Sequence, residues 1–162
     1  MCVFDIEINV LSSLLNLMKE ELFEIIILEL DYFLIEKVRE MRIRHQPYLS
    51  MLKLSQEMEL GESYVSSVEN LKSRVKYNIR AIHRVAKCFK LQSYLELFPS
   101  EVMKNDIVRM RLRKFPIKKG KLGVNDDGTV DKAYEIVSVN PLTEKELQLW
   151  KSNKLPYLTI IK

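Results

Sequence analysis

The stretch Gly61–Asn70, GESYVSSVEN, limits what this chain can build more than any other segment. Its only aliphatic anchors are two valines, Val65 and Val68, three apart, set among Gly61, Glu62, Ser63, Ser66, Ser67 and Asn70. A docked surface helix ordinarily carries an apolar stripe about 100° wide. Two valines cover far less, so a helix here buries little and shows a face of short polar groups. Such a face suits a narrow partner such as a DNA groove. The plainer reading is a poorly helical linker.

The flanking segments are helical by period. From about Leu11 to Arg44, apolar residues recur as Leu14, Leu17, Met18, Leu22, Ile25, Ile26 and Leu28, then Phe33, Ile35, Val38 and Met41. That spacing predicts one long helix or two, with a break near 29–32. The Gln46-Pro47 step ends it, since a residue before proline is pushed out of the α region. Residues 49–58 repeat the period through Leu49, Leu52 and Met58, with small Ser55 on the same side. Asn78 is a suitable N-cap for NIRAIHRVAKCFK, whose expected buried stripe is Ile79, Ile82, Val85, Ala86 and Phe89. Ser93 caps a short SYLELF helix that stops at Pro99.

Beyond Pro99 the pattern changes. IVRMRLRKF (107–115) alternates, with Val108, Met110 and Leu112 against Arg109, Arg111 and Arg113, as a half-buried strand does. Asp127-Gly128 marks a tight turn. AYEIVSV (133–139) and LPYLTII (155–161) read as further strands, the latter alternatively as a docking tail. Between them Thr143 and Glu146 open TEKELQLWKSN with a capping-box pair, and Trp150 is expected in the core.

Charge is distributed unevenly. The formal net charge is only +4 over 162 residues, but residues 1–31 hold seven acids against one base. Residues 71–90 carry Lys72, Arg74, Lys76, Arg80, Arg84, Lys87 and Lys90 with no acid. An acidic partner for the middle of the chain follows from that asymmetry; a merely solvated face is the alternative. Cys2 and Cys88 form no disulfide or zinc pattern, and the setting is expected to be reducing and cytoplasmic. No apolar run approaches the ~20 residues needed to span a bilayer, and no secretory signal is evident. Met18 before Lys19-Glu20-Glu21 is a second candidate start, which would make residues 1–17 an extension.

The order of helices over 33–98, with SYVSSVEN (63–70) and KYNIRAIHRVAKCFKLQSYLELFP (76–99), resembles the lambda-repressor-like, Xre/Cro-type helix-turn-helix family. The carrying residues are Ser66-Ser67-Val68-Glu69-Asn70, Ile82 through Phe89, and Leu97-Phe98-Pro99; KYN resembles a branch common among regulators of Bacteroides-type bacteria. The resemblance implies a mainly α chain. Residues 33–99 would form a five-helix DNA-binding domain, with an N-terminal helical extension (1–32) and a small α+β tail (100–162) for dimerisation or for an effector or partner. It implies a transcriptional regulator that binds double-stranded DNA as a homodimer. Glu62, Ser63, Tyr64 and Ser67 would face the bases, and Asn70, Lys72, Arg74 and Lys76 the phosphates. Glu69 is expected to hold the fold instead. Two positions depart from the family: Met51 stands where a glutamine usually touches the backbone, and Glu59 where a glycine usually follows the second helix. The alternative is a degenerate helix-turn-helix acting as an antitoxin-like or adaptor module, holding a protein partner through its tail.

No enzymatic arrangement emerges. His45 and His83 lack metal-ligand spacing, Cys88 reads as packed, and no phosphate loop or nucleophile elbow is present. No metal or cofactor is expected.

Overall fold

A computed structural model describes residues 21–115 and 122–161. The candidate start at Met18 and the extension before it lie outside these residues. In chain order the elements are β1 (Leu22–Leu28), α1 (Glu29–Arg44), α2 (Met51–Glu57), α3 (Tyr64–Glu69), α4 (Ile79–Cys88), a 3₁₀ turn (Tyr94–Glu96), β2 (Ile107–Lys114), β3 (Tyr134–Pro141), α5 (Glu144–Lys151) and β4 (Leu158–Ile161).

The expectation of a mainly α chain is overturned by a four-stranded antiparallel sheet in the order β3-β2-β1-β4. The decisive segment is LFEIIIL, expected to be helical and found as an inner strand. Its register sets Phe23, Ile25 and Ile27 opposite Leu112, Met110 and Val108 of β2. All six are buried, and they form the sheet face on which the helices pack. Ile26 points the other way and is buried too. Three consecutive β-branched residues favour the strand, since each is stiff at χ1 and packs well on a pleated surface.

On the far face the arginines of β2 are paired. Arg111 donates to Glu24 at 2.7 Å, Arg109 to Glu146 of α5 at 2.7 Å, and Arg113 to Glu135 at 3.1 Å. The alternation of β2 is as its sequence predicts. Glu146 also closes the expected capping box with Thr143, and α5 thereby sits over that face.

One hydrophobic cluster joins the sheet to the helices, running from Phe23, Ile25 and Val108 through Leu34, Ile35 and Val38 to Leu54, Val65, Val68, Val85 and Leu97. α1 begins where β1 ends, with Glu29 N–H donating to Asp106 O at 3.0 Å and its carboxylate accepting from Asn105 N–H at 2.9 Å. Glu29 and Asp31 in its first turn and Arg42 and Arg44 in its last complement the helix dipole. Asn78 caps α4 as expected, accepting from Ala81 N–H at 2.8 Å. The buried face of α4 differs from expectation: Ile79 is 87% exposed, and Ala81, Val85 and Ala86 face the core. Leu52 of α2 is likewise exposed, while Leu54 and Ser55 are buried.

Candidate nucleic-acid interface

α2 and α3 form a tight pair built from a few contacts. Ser50 caps α2, its hydroxyl accepting from Lys53 N–H at 3.1 Å. At the other end Leu60 N–H donates to Ser55 O at 3.0 Å and Glu59 N–H to Gln56 O at 2.9 Å, the paired bonds of a Schellman turn. Glu59 takes the left-handed position of that turn, with φ 53°. The turn has not shifted towards Gly61; a glutamate adopts the conformation that favours glycine. Arg84 of α4 steadies it by donating to Met58 O and to Glu59 O.

Ser55 carries the link to α3. Its hydroxyl, fully buried, donates to Met51 O at 2.9 Å and accepts from Val65 N–H at 3.0 Å. It thus satisfies a first-turn N–H of α3 that has no intrahelical acceptor. Val65 and Val68 are fully buried, so the two valines suffice to seat a helix only six residues long.

The outward face of α3 is sorted by what each side chain already does. Ser66 hydroxyl donates to Ser63 O at 2.9 Å, within the helix. Tyr64, expected among the outward residues, turns inward: its hydroxyl donates to Lys76 O at 2.9 Å and its ring lies edge-on to Tyr77, centroids 6.1 Å apart. Glu62 is exposed and accepts from Gln56 Nε2 at 3.3 Å. Ser63 and Ser67 remain. One helical turn apart on the same side, neither hydroxyl has a hydrogen-bond partner among the described residues.

The expected phosphate contacts separate in the same way. Asn70 closes α3, its side chain accepting from Lys72 N–H at 3.2 Å and its carbonyl from Ser73 N–H at 2.8 Å. Lys72 pairs with Glu21, its ammonium 5.2 Å from the centroid of the Phe23 ring. Lys76 points into the protein, donating to Ser73 O at 2.8 Å, Val75 O at 3.2 Å and Tyr157 hydroxyl at 2.8 Å. Burial pushes its pKa down to about 8, against the opposing pull of Asp31. Arg74 is exposed, its guanidinium over the Tyr157 ring at 5.6 Å. Arg74, Arg80, Lys87 and Lys90 are all exposed and carry no ion pair among the described residues.

Glu69 holds the fold. Arg42 donates to both its carboxylate oxygens at 2.8 Å and also to Leu49 O and Tyr48 hydroxyl, joining α1, α3 and the segment before α2. Sequence reading anticipated a fold role for Glu69 but did not identify Arg42 as its partner. It likewise gave Ser55 no task, although a lone hydroxyl in an apolar row was the available signal. Tyr157 was not singled out. It donates to Leu71 O at 2.9 Å while accepting from Lys76, and so ties β4 to the loop after α3.

Among the described residues no group of three or more His, Cys, Asp or Glu is placed to hold a metal, and no helix is long and apolar enough to cross a membrane. Cys88 is half-buried, and burial raises its thiol pKa. A scan of protein-family models and searches of curated proteins and of solved structures each find no match to this chain.

Proposed function

We propose that the chain is a sequence-specific DNA-binding transcriptional regulator, with α3 entering the major groove. The observation that carries this reading is the pair of unengaged hydroxyls, Ser63 and Ser67, on one side of a short helix whose other side is locked by Val65, Val68 and Ser55. Short hydroxyls allow close approach of the helix to base edges, and serine pairs with several bases. Arg74, in the loop that follows α3, supplies a phosphate contact, and Arg80, Lys87 and Lys90 supply a favourable field. Of the three basic loop residues expected on phosphates, Arg74 carries most of this role, because Lys72 is paired and Lys76 is withdrawn.

The test is fluorescence-anisotropy binding to duplexes from the protein's own upstream region, against a scrambled duplex, over a range of salt. Tight binding that resists the scrambled competitor and loosens with salt supports the reading. Equal affinity for both duplexes removes sequence specificity, and no binding at low salt removes DNA.

A second reading, a module that holds a protein partner through the tail, is favoured by one feature. The edge strand β3 leaves Ile136, Val137 and Val139 exposed, and an apolar edge is a template for another strand. In the DNA reading this edge joins two copies into the homodimer that a two-half-site operator requires. Light scattering separates the two readings: a dimer of the full chain that becomes monomeric on Val137→Lys supports the first, and a monomer in both cases leaves the edge to another protein.

A further inference from the structure

A cavity of about 320 Å³ lies where the C-terminal end of β1, Ile26 to Leu28, meets the loop after α3 and Tyr157. Its walls are chiefly apolar: Ile26, Ile27, Leu28, Ile107, Trp150 and Tyr157. Two charged side chains of opposite sign also line it, Asp31 at the start of α1 and Arg74 in the loop. Neither has an ion-pair partner or a hydrogen bond among the described residues, and they do not pair with each other. Lys76, the third charge, already donates hydrogen bonds to Ser73 O, Val75 O and the Tyr157 hydroxyl.

That arrangement is costly for the empty protein. A half-buried carboxylate without a hydrogen-bond donor loses part of its solvation, which the α1 dipole and the nearby Lys76 charge offset only in part. Consistently, burial raises the pKa of Asp31 even with the Lys76 ammonium lowering it. A ligand pocket ordinarily combines apolar walls with a few convergent polar groups, and this cavity lies within the usual size range of roughly 300–1,000 Å³.

We propose that this cavity binds a small zwitterion with an apolar body, of which an aromatic α-amino acid is the plainest case. The ligand's ammonium donates to the Asp31 carboxylate and its carboxylate accepts from the Arg74 guanidinium. Its apolar part lies against Trp150 and the isoleucines. A simple anion gains Arg74 but leaves Asp31 unsatisfied, and a simple cation does the reverse. The site stands apart from the DNA reading. If that reading holds, the ligand takes Arg74 from the phosphates, so occupancy weakens DNA binding.

Trp150 is the chain's single tryptophan and lines the cavity, so its emission reports occupancy. The probes are L-phenylalanine, 3-phenylpropionate and phenethylamine, which share a ring and differ in charge, with binding measured by calorimetry and located by Trp150 emission. The expected result is saturable L-phenylalanine binding that shifts the emission. Each singly charged probe should bind about tenfold or more weaker. Arg74→Gln, on the surface, and Asp31→Asn, of the same shape, should each abolish the preference for the zwitterion. Absence of phenylalanine binding up to its solubility limit overturns the proposal. So does binding that leaves Trp150 unchanged, equal affinity for the three probes, or a preference that survives both substitutions. None of these outcomes involves DNA, so they leave the functional reading to its own test.

Discussion

Arg42 and Glu69 meet through two parallel 2.8 Å hydrogen bonds, with 1% and 8% of their side chains exposed. Arg42 Nη1 donates to Leu49 O at 3.0 Å and to the Tyr48 hydroxyl at 3.1 Å. A pair so enclosed adds little net stability, because desolvation offsets most of the attraction, but removing one partner strands a buried charge. Glu69→Ala is expected to cost about 3–5 kcal/mol. Arg42→Met together with Glu69→Leu should restore most of that loss. Urea unfolding of Arg42→Met, Glu69→Leu and the double variant measures the coupling; a double variant as unstable as the two single losses added together would remove it.

Glu59 closes the turn between α2 and α3 with φ 53°. Holding a side chain in the left-handed region costs about 1–2 kcal/mol, and glycine gives back roughly 0.5–1 kcal/mol of that through its freer unfolded chain. Glu59→Gly should therefore stabilise the protein by about 0.5–1 kcal/mol, seen as a higher urea midpoint at unchanged slope. The Glu59 carboxylate is 86% exposed and 3.9 Å from Arg84, so its loss removes little. A lower midpoint would mean that the side chain, and not the backbone bonds to Arg84, holds the turn.

The difference between what could be read from residues and what could not follows from burial. β2 was legible because one of its faces is apolar and the other charged, which prints a period of two. The caps at Asn78, Ser93 and Thr143 were legible because a cap is a local bond between near neighbours. β1 was misread because Ile26 is buried on the face opposite Phe23, Ile25 and Ile27. A segment apolar on both sides has no period, and its residues also fit a helical spacing that continues into α1. The candidate site divides likewise. Val65, Val68 and the serines were visible in the sequence, whereas the fates of Tyr64, Lys72 and Lys76 depend on Tyr77, Glu21 and Tyr157, all distant in sequence except Tyr77.

Lys76 gives the protein a pH signature. Its pKa falls from an ordinary 10.5 to about 8 in the folded state. Below about 8 both folded and unfolded chains hold the proton; between the two values only the unfolded chain does. The unfolded state then binds more protons, so this group's contribution to stability rises with pH across that window. The charged neighbours are Asp31 and Arg74, and burial raises the Tyr157 hydroxyl pKa well above the window. The unfolding free energy of the native chain, minus that of Lys76→Met, should increase between about pH 8 and about pH 10. A flat difference would mean that the ammonium is better solvated than its three hydrogen bonds suggest.

The same orientation of Lys76 separates two basic residues that look equivalent in sequence. Arg74 and Lys76 lie two apart in a loop expected on phosphates, but only Arg74 is exposed and free of hydrogen bonds. Each phosphate neutralised steepens the fall of log affinity with log salt by about 0.9. In the proposed DNA complex, Arg74→Ala should weaken binding evenly across sequences and flatten the salt slope by about one. Lys76→Met should leave that slope unchanged, since its ammonium is held by Ser73 O, Val75 O and Tyr157. Ser63→Ala with Ser67→Ala should act differently again, eroding the preference for the cognate duplex while keeping the salt slope. Anisotropy titrations of these variants on cognate and scrambled duplexes read both quantities at once. Equal slopes for the native chain and Arg74→Ala would place the phosphates elsewhere on the protein, and α3 with them.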